Sequence, residues 1–203
     1  MSAKPRTRRI NLALQGGGAH GAFTWGVLDA LLEDGRIEFE GLSGTSAGAM
    51  NAAVLADGLL RGGVEGARAA LDSFWSDVAA SGLLFNPTRS ALPLPPALES
   101  FSKGLGFAAF ETWTRLLSPY QFNPFDFNPL REVLRRRIDF DALRAPGCLK
   151  LFVGATGVRS GRVKVFGNAE MSVDALLAST CLPQLFQAVE IDGCRYSHIV
   201  DPR

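Results

Sequence analysis

Apolar residues follow two patterns along the chain, short continuous runs and longer runs with helical spacing. The short runs predict strands at residues 8–15, 37–44, 149–158 and 162–168, and a hairpin over 187–196. The helical spacing predicts helices at residues 22–35, 47–60, 64–80, 128–138 and 172–182. Because strands and helices alternate, the pattern predicts an α/β domain with a mainly parallel sheet.

The sequence also predicts details of four of these elements. The strand at 8–15 runs straight into glycines and is expected to be buried. The helix after it should stop at Gly35 and carry four apolar residues on one side: Phe23, Val27, Leu28 and Leu31. The helix after the second strand consists of small residues, which can pack tightly against a sheet. The hairpin should turn at Asp192 and Gly193.

Residues 81–129 form a different kind of segment, with seven of the eleven prolines and nine of the nineteen aromatic residues. We interpret it as an irregular apolar insertion with one short helix near 107–117. Six apolar residues within 98–117 can share a helical face: Phe101, Leu105, Ala109, Trp113, Leu116 and Leu117. This helix packs on the core or, in the alternative interpretation, forms a lid or lipid-contacting surface, because an acyl-chain pocket needs apolar walls.

Composition and charge narrow the class of protein. The 203 residues are 47% hydrophobic and 20% charged, as expected for one globular, soluble domain with a sizeable core. The net charge of +1, without a basic patch interleaved with aromatic residues, argues against a nucleic-acid partner. We interpret the basic residues 1–8 as a disordered tail, with weak contact to anionic lipid as the alternative. The "REVLRRR" segment at 131–137 is interpreted as a solvated helix face, with an anionic head-group site as the alternative.

The cysteines favour a cytoplasmic protein. Cys148, Cys181 and Cys194 are odd in number and lack metal-ligand spacing, which indicates reduced thiols and no metal site. No stretch has the roughly 18 apolar residues of a membrane helix. The sequence "TRRINL" is loosely similar to a twin-arginine export signal, but the apolar run after it breaks at once into "QGGGAHG" and lacks a cleavage site.

The glycine-rich segment "QGGGAHG" contains G-x-G-x-x-G at Gly16, Gly18 and Gly21, and it has three interpretations. A dinucleotide site would need an acidic residue at the end of the second strand, but Glu38 and Glu40 fall at its beginning. The second interpretation is an oxyanion hole, in which backbone N–H groups stabilise the charge that develops on a carbonyl oxygen. In the third, the glycines simply allow tight packing between strand and helix.

The segment "LSGTSAGAMNAA" places Ser46 in G-x-S-x-G, the pattern of a nucleophile on a strand-to-helix turn. Its oxyanion donors would be the N–H of Ala47 and that of Gly17 or Gly18. A serine nucleophile also needs a base. Neither His20, inside the glycine loop, nor His198, near the end of the chain, has the context of a Ser-His-Asp triad, so a carboxylate acting directly on the serine fits better.

The two motif segments together resemble the patatin-like phospholipase family, in particular its bacterial members. They read "LALQGGGAHGAFTWGVLDALLEDG" and "LSGTSAGAMNAAVLADG", and the stretches "LSPYQFNP", "LKLFVGATGVRSGRVKVF" and "LLASTCLPQLFQAVEIDGCRY" extend the likeness over residues 9–196. The resemblance implies a three-layer α/β fold with a mainly parallel central sheet and flanking helices. It also implies a Ser-Asp dyad that hydrolyses membrane phospholipids or related acyl esters, with peripheral membrane contact and without a metal or other cofactor.

The resemblance assigns site residues but leaves the base open. Ser46 matches the nucleophile, and the oxyanion loop is matched by Gly16, Gly17 and Gly18. Family members carry the catalytic aspartate in a D-G-[GA] motif shortly after a segment like "EIDGCRY", whereas this chain reads "SHIVDPR", with Asp201 as the nearest carboxylate. We therefore expect residues 9–203 to form a patatin-like domain that lacks its last elements. The alternative function is an inactive remnant that only binds lipid or a protein partner; no pattern indicates an oligomeric state.

Overall fold

The computed structural model describes residues 7–85, 118–183 and 185–198. Within these ranges the strands, β1 to β6 in chain order, are Arg8–Leu14, Ile37–Gly44, Lys150–Gly157, Val163–Gly167, Val189–Ile191 and Cys194–Ser197. The helices, α1 to α6, are Gly21–Asp34, Ala47–Phe85, Pro119–Phe122, Pro129–Arg137, Phe140–Arg144 and Val173–Thr180. Two short 3-10 helices lie at Gly18–His20 and Asn168–Glu170.

The strands form one mixed sheet in the order β1-β2-β3-β6-β5, with β4 also paired to β3. Strands β1, β2 and β3 are parallel, while β4, β6 and β5 join them through antiparallel pairs. Helices flank this sheet, so the predicted α/β class is confirmed. The parallel strands end at one edge of the sheet, which brings the loops after β1 and β2 together.

Helix α2 supplies much of the core because its first half consists of small residues. Four of its alanines are fully buried: Ala49, Ala52, Ala53 and Ala56. Their size lets the helix backbone approach β1, β2 and β3, all of which α2 contacts. The helix is broken at Gly62 and Gly63, where Gly63 has a left-handed φ of 58°, so the two separately predicted helices are both present.

The two faces of the sheet differ in burial. On the face that α2 and α6 contact, Leu151, Val153 and Ala155 of β3 are buried. Their neighbour Phe152 points to the other face because side chains alternate along a strand, and it is 46% exposed. Val165 of β4, next to β3 on that face, is also exposed.

The prediction that β1 is buried is wrong, and only part of the predicted apolar side of α1 is buried. Strand β1 exists, but only Leu14 of it is buried, because in the described part of the chain β1 is an edge strand paired with β2 alone. Helix α1 stops at Gly35 as predicted, yet Phe23 is 78% exposed and Val27 is exposed as well. The helix packs against α2 through a stripe that contains Leu32 and Leu28, one of the four predicted residues.

The prediction that residues 81–85 are irregular is wrong, because helix α2 continues through Phe85. The short helix predicted near 107–117 lies outside the described residues. Helix α5 was missed; the side chain of Asp139 caps it by accepting a hydrogen bond from the N–H of Ala142 at 3.0 Å. None of the helices in the described ranges is long and apolar enough to cross a membrane.

Candidate active site

Ser46 lies in a tight turn between β2 and α2. Strand β2 ends at Gly44 and the helix begins at Ala47, so only two residues reverse the direction of the chain. Ser46 takes up this reversal with a φ of 53°, in the left-handed region that costs a non-glycine residue roughly 1–2 kcal/mol. Its side chain begins at the N-terminus of α2, where the helix dipole favours negative charge.

The flanking glycines are needed because backbone segments cross closely at the turn. A Cβ atom on Gly44 would lie 2.5 Å from the carbonyl carbon of Gly48. A Cβ atom on Gly48 would overlap the carbonyl oxygen of Leu14, at the end of β1. Side chains at Gly44 and Gly48 would therefore not fit. The glycines of the G-x-S-x-G pattern allow the turn to pack closely against the end of β1.

The glycine loop after β1 lies directly against this turn. A Cβ atom on Gly16 would lie 3.1 Å from the Cβ of Ser46 and 3.1 Å from the carbonyl oxygen of Thr45. At the start of α1, a Cβ atom on Gly21 would lie 2.6 Å from the Cβ of Ala47. The two motifs, separated by 28 residues between Gly18 and Ser46, are thus brought together by the parallel pairing of β1 and β2.

Several backbone N–H groups around Ser46 remain available. Among the described residues, the N–H groups of Gly17, Gly18 and Ala47 have no hydrogen-bond acceptor. The loop is held instead through the carbonyl oxygen of Gly17, which accepts a bond from the N–H of His20 at 3.1 Å. The Nδ1 atom of His20 lies 3.2 Å from the same oxygen, so His20 contacts the loop that contains it.

Asn51 links helix α2, which follows the serine turn, to Gly21 at the end of the glycine loop. This buried residue of α2 donates from Nδ2 to the carbonyl oxygen of Gly21 at 2.9 Å, and its Oδ1 accepts from the indole N–H of Trp75 at 2.8 Å. Sequence reasoning missed Asn51, although one amide within a run of small apolar residues is a recognisable signal, since buried polar groups need partners.

The backbone N–H of Ser46 is already occupied. It donates to the Oγ of Ser179, in the last turn of α6, at 2.9 Å. This N–H therefore cannot serve as an oxyanion donor. Ser179 is fully buried and was not predicted, because the two residues are 133 positions apart.

The acidic residues that would support a dinucleotide site lie elsewhere. Glu38 and Glu40 are in the first half of β2, away from the glycine loop. They form exposed ion pairs with Arg9 at 3.3 Å and Lys150 at 3.5 Å, respectively. No group of three or more metal-ligating side chains lies together in the described ranges.

The β5–β6 hairpin turns at Asp192 and Gly193 as predicted. His198 follows β6, and its backbone N–H donates to the carbonyl oxygen of Cys181 at 2.9 Å. The Nδ1 atom of His198 is buried without a partner among the described residues. Within those residues no carboxylate is hydrogen-bonded to Ser46, and Asp201 lies outside them.

Cys181 does not compete with Ser46 as a nucleophile. It is buried between the end of α6 and the segment that leads to β5, with its Sγ 3.2 Å from the carbonyl oxygen of Gln187. Burial raises the pKa of the Cys181 thiol to about 11, so it is protonated at neutral pH. Because the thiolate is the reactive form of a cysteine, the Cys181 thiol is unreactive at neutral pH.

A family model for patatin-like phospholipases matches residues 12–201. The chain therefore belongs to the patatin-like phospholipase family, as its motifs indicated.

Two solved structures are similar over 98% of this chain. VipD from Legionella pneumophila matches with 18% identity and a TM-score of 0.51, which shows a shared fold. A chain of the ExoU–SpcU complex, from the type III secretion system of Pseudomonas aeruginosa, matches with 21% identity and a TM-score of 0.44. The chain spans 46% and 41% of those two chains, less than half of either. A search of curated proteins found no match.

Proposed function

We propose that this chain is a lipid acyl hydrolase in which Ser46 attacks the ester carbonyl. The observation that carries the proposal is the contact between the serine turn and the glycine loop, with Gly16 against Ser46. Membership of the patatin-like phospholipase family supports a lipid ester as substrate. A lipid in a membrane would be reached through peripheral contact with the bilayer.

The oxyanion hole would be formed by backbone N–H groups from both loops. When the Oγ of Ser46 adds to the carbonyl carbon, the carbonyl oxygen gains negative charge. The N–H of Ala47 and those of Gly17 and Gly18, which have no acceptor in the described part of the chain, are suited to receive it. Each such donor is worth roughly 3 kcal/mol of barrier, since it is in place before the reaction starts.

A base must take the proton of the Ser46 hydroxyl. The family resemblance implies a carboxylate that takes the proton of the Ser46 hydroxyl and returns it to the leaving group. Asp201, the nearest carboxylate to the expected motif in the sequence, lies outside the described residues. The second candidate function is a domain that binds lipid without hydrolysing it, in which case the chain would acylate slowly and turn over weakly.

A fluorophosphonate probe tests the nucleophile. The purified chain is incubated with the probe, and the adduct is located by mass spectrometry. We expect it on Ser46, absent from Ser46→Ala and retained in Ser43→Ala, a control serine of strand β2. Labelling that survives Ser46→Ala unchanged would overturn the proposal. Labelling without hydrolysis of a p-nitrophenyl ester would favour the lipid-binding candidate.

A further inference from the structure

We propose that Ser179 is a positioning residue that holds the nucleophile turn in its reactive conformation. This inference rests on the proposed role of Ser46 as nucleophile. Its basis is the hydrogen bond from the Ser46 backbone N–H to the Oγ of Ser179, 2.9 Å long, between two buried residues.

The geometry of the turn explains why Ser46 needs a partner from outside. Its N–H lies past the end of β2, beyond the ladder of bonds to the neighbouring strands. It also lies before the first residue of α2, where N–H groups have no intrahelical acceptor. A buried N–H without a partner is costly, so a side-chain oxygen is required at this place.

Ser179 is held firmly enough to supply that oxygen. Helix α6 begins with a cap, in which the Oγ of Ser172 accepts from the N–H of Ala175 at 3.1 Å. Its first turn is joined to α4 by an ion pair between Asp174 and Arg131 at 2.6 Å. The residues from Ala175 to Ala178 are all buried, so the helix cannot shift without disturbing the core.

The hydroxyl of Thr180, the next residue along the helix, makes a different kind of contact from that of Ser179. Thr180 bonds back to its own helix, with its Oγ1 3.2 Å from the carbonyl oxygen of Leu176 and 3.1 Å from that of Leu177. This is the usual local contact of a helical hydroxyl. Ser179 instead reaches the serine turn on another element, and its helix runs on to Cys181, whose carbonyl oxygen holds His198.

Loss of the Ser179 hydroxyl should loosen the turn without unfolding the domain. In Ser179→Ala the buried N–H of Ser46 has no acceptor, and the left-handed Ser46 loses a contact that keeps it in place. We expect the maximal rate of fluorophosphonate labelling to fall about tenfold or more, with little change in the half-saturating probe concentration. Such a split separates nucleophile positioning from probe binding.

The experiment compares Ser179→Ala with Thr180→Ala, which removes the adjacent hydroxyl. Labelling kinetics and exchange of the Ser46 amide, followed by NMR, are measured on both. We expect slower labelling and at least about tenfold faster exchange in Ser179→Ala only. Ser179→Cys, which keeps a weak acceptor of similar size, should fall between Ser179→Ala and the wild type.

The two measurements separate the two proposals. Unchanged exchange and labelling in Ser179→Ala, or equal effects in Thr180→Ala, would overturn the positioning role. If Ser179→Ala does not fold, Ser179→Cys with wild-type exchange and labelling would overturn it instead. A wild-type chain that does not label at Ser46 would reject the proposed function, while amide exchange would still decide the role of Ser179.

Discussion

The two sides of the candidate site are built differently. On the side of the proposed nucleophile, called the nucleophile side, the serine turn packs closely on the glycine loop and on the end of β1. A Cβ atom on Gly16 would lie 3.1 Å from the carbonyl oxygen of Thr45, and one on Gly48 would overlap that of Leu14. The other side, called the base side because the family resemblance implies a base shortly after it, consists of the β5–β6 hairpin and His198. There the described residues pair β6 with β3 at two positions, Thr156 with Ser197 and Gly157 with Tyr196. A three-residue strand, β5, completes that hairpin.

The two sides differ in how precisely each can hold a reacting group. Close backbone contacts leave no room for adjustment, so the nucleophile side is confined to one geometry. The base side is held by fewer close contacts. The carbonyl oxygen of Cys181 accepts hydrogen bonds from Ser197 and His198, and the carbonyl oxygen of Arg195 accepts one from the N–H of Val158. Changes on the nucleophile side should therefore have larger effects than changes on the base side.

The largest effect is expected for Gly48→Ala. The added Cβ would overlap the carbonyl oxygen of Leu14, and neither backbone segment can move away. We expect the free energy of unfolding to fall by about 3 kcal/mol, measured by chemical denaturation. Gly26→Ala is the control, because its Cβ meets nothing within 4 Å in helix α1, and it should stabilise by roughly 0.5–1 kcal/mol. Equal stabilities for the two variants would contradict a tightly packed nucleophile side.

Gly18→Val should impair chemistry more than folding. Gly18 has a φ of 55°, which a β-branched residue avoids, but its Cβ would meet no atom within 4 Å. The loop should therefore shift its N–H groups, and we expect labelling of Ser46 to slow by at least about 10²-fold.

A matched control exists for this variant in the turn between β3 and β4. Gly161 has a φ of 64° and equally open surroundings, so Gly161→Val carries a similar strain away from the site. Its labelling rate should equal that of the wild type. Loss of activity in Gly18→Val together with loss of fold, seen by circular dichroism, would leave only the packing role of the glycines.

On the base side, His198→Ala should change little. The imidazole Nδ1 has no partner in the described residues, so its removal breaks no hydrogen bond. We expect labelling to stay within about threefold of the wild type, and the free energy of unfolding within about 1 kcal/mol. Ser197→Ala removes a buried hydroxyl bonded at 2.9 Å to Cys181 and should cost about 1 kcal/mol. A loss of labelling of 10²-fold or more in His198→Ala would instead reveal a serine–histidine pair.

The smallest effect is a difference in thiol reactivity. At pH 8 the exposed Cys194 should react with Ellman's reagent, while Cys181, with its pKa raised to about 11, is thiolate in about one molecule in a thousand. Cys181 should become reactive as the pH rises toward 11 or as the chain unfolds. If Cys181 and Cys194 reacted at similar rates in the folded chain at pH 8, the thiol of Cys181 would be accessible to the reagent. The base side would then open often enough to expose it.

The order of the elements and the turn conformations of both loops were predictable from the amino-acid sequence alone. Hydrophobic spacing located the strands and helices, and the pattern of glycines located the serine turn, because backbone conformation depends on neighbouring residues. The hairpin turn at Asp192 and Gly193 was predictable for the same reason: both residues adopt a positive φ.

The buried faces of the elements and the contacts between distant residues were visible only in the tertiary structure. The exposure of Phe23 and of β1 follows from which elements pack beside them, and spacing within one element does not contain that information. Ser179 and Asn51 gain their roles through partners on other elements, at the amide of Ser46 and the carbonyl of Gly21. Such contacts join residues that are far apart in sequence and meet only when the chain folds. Spacing along the chain therefore does not predict them.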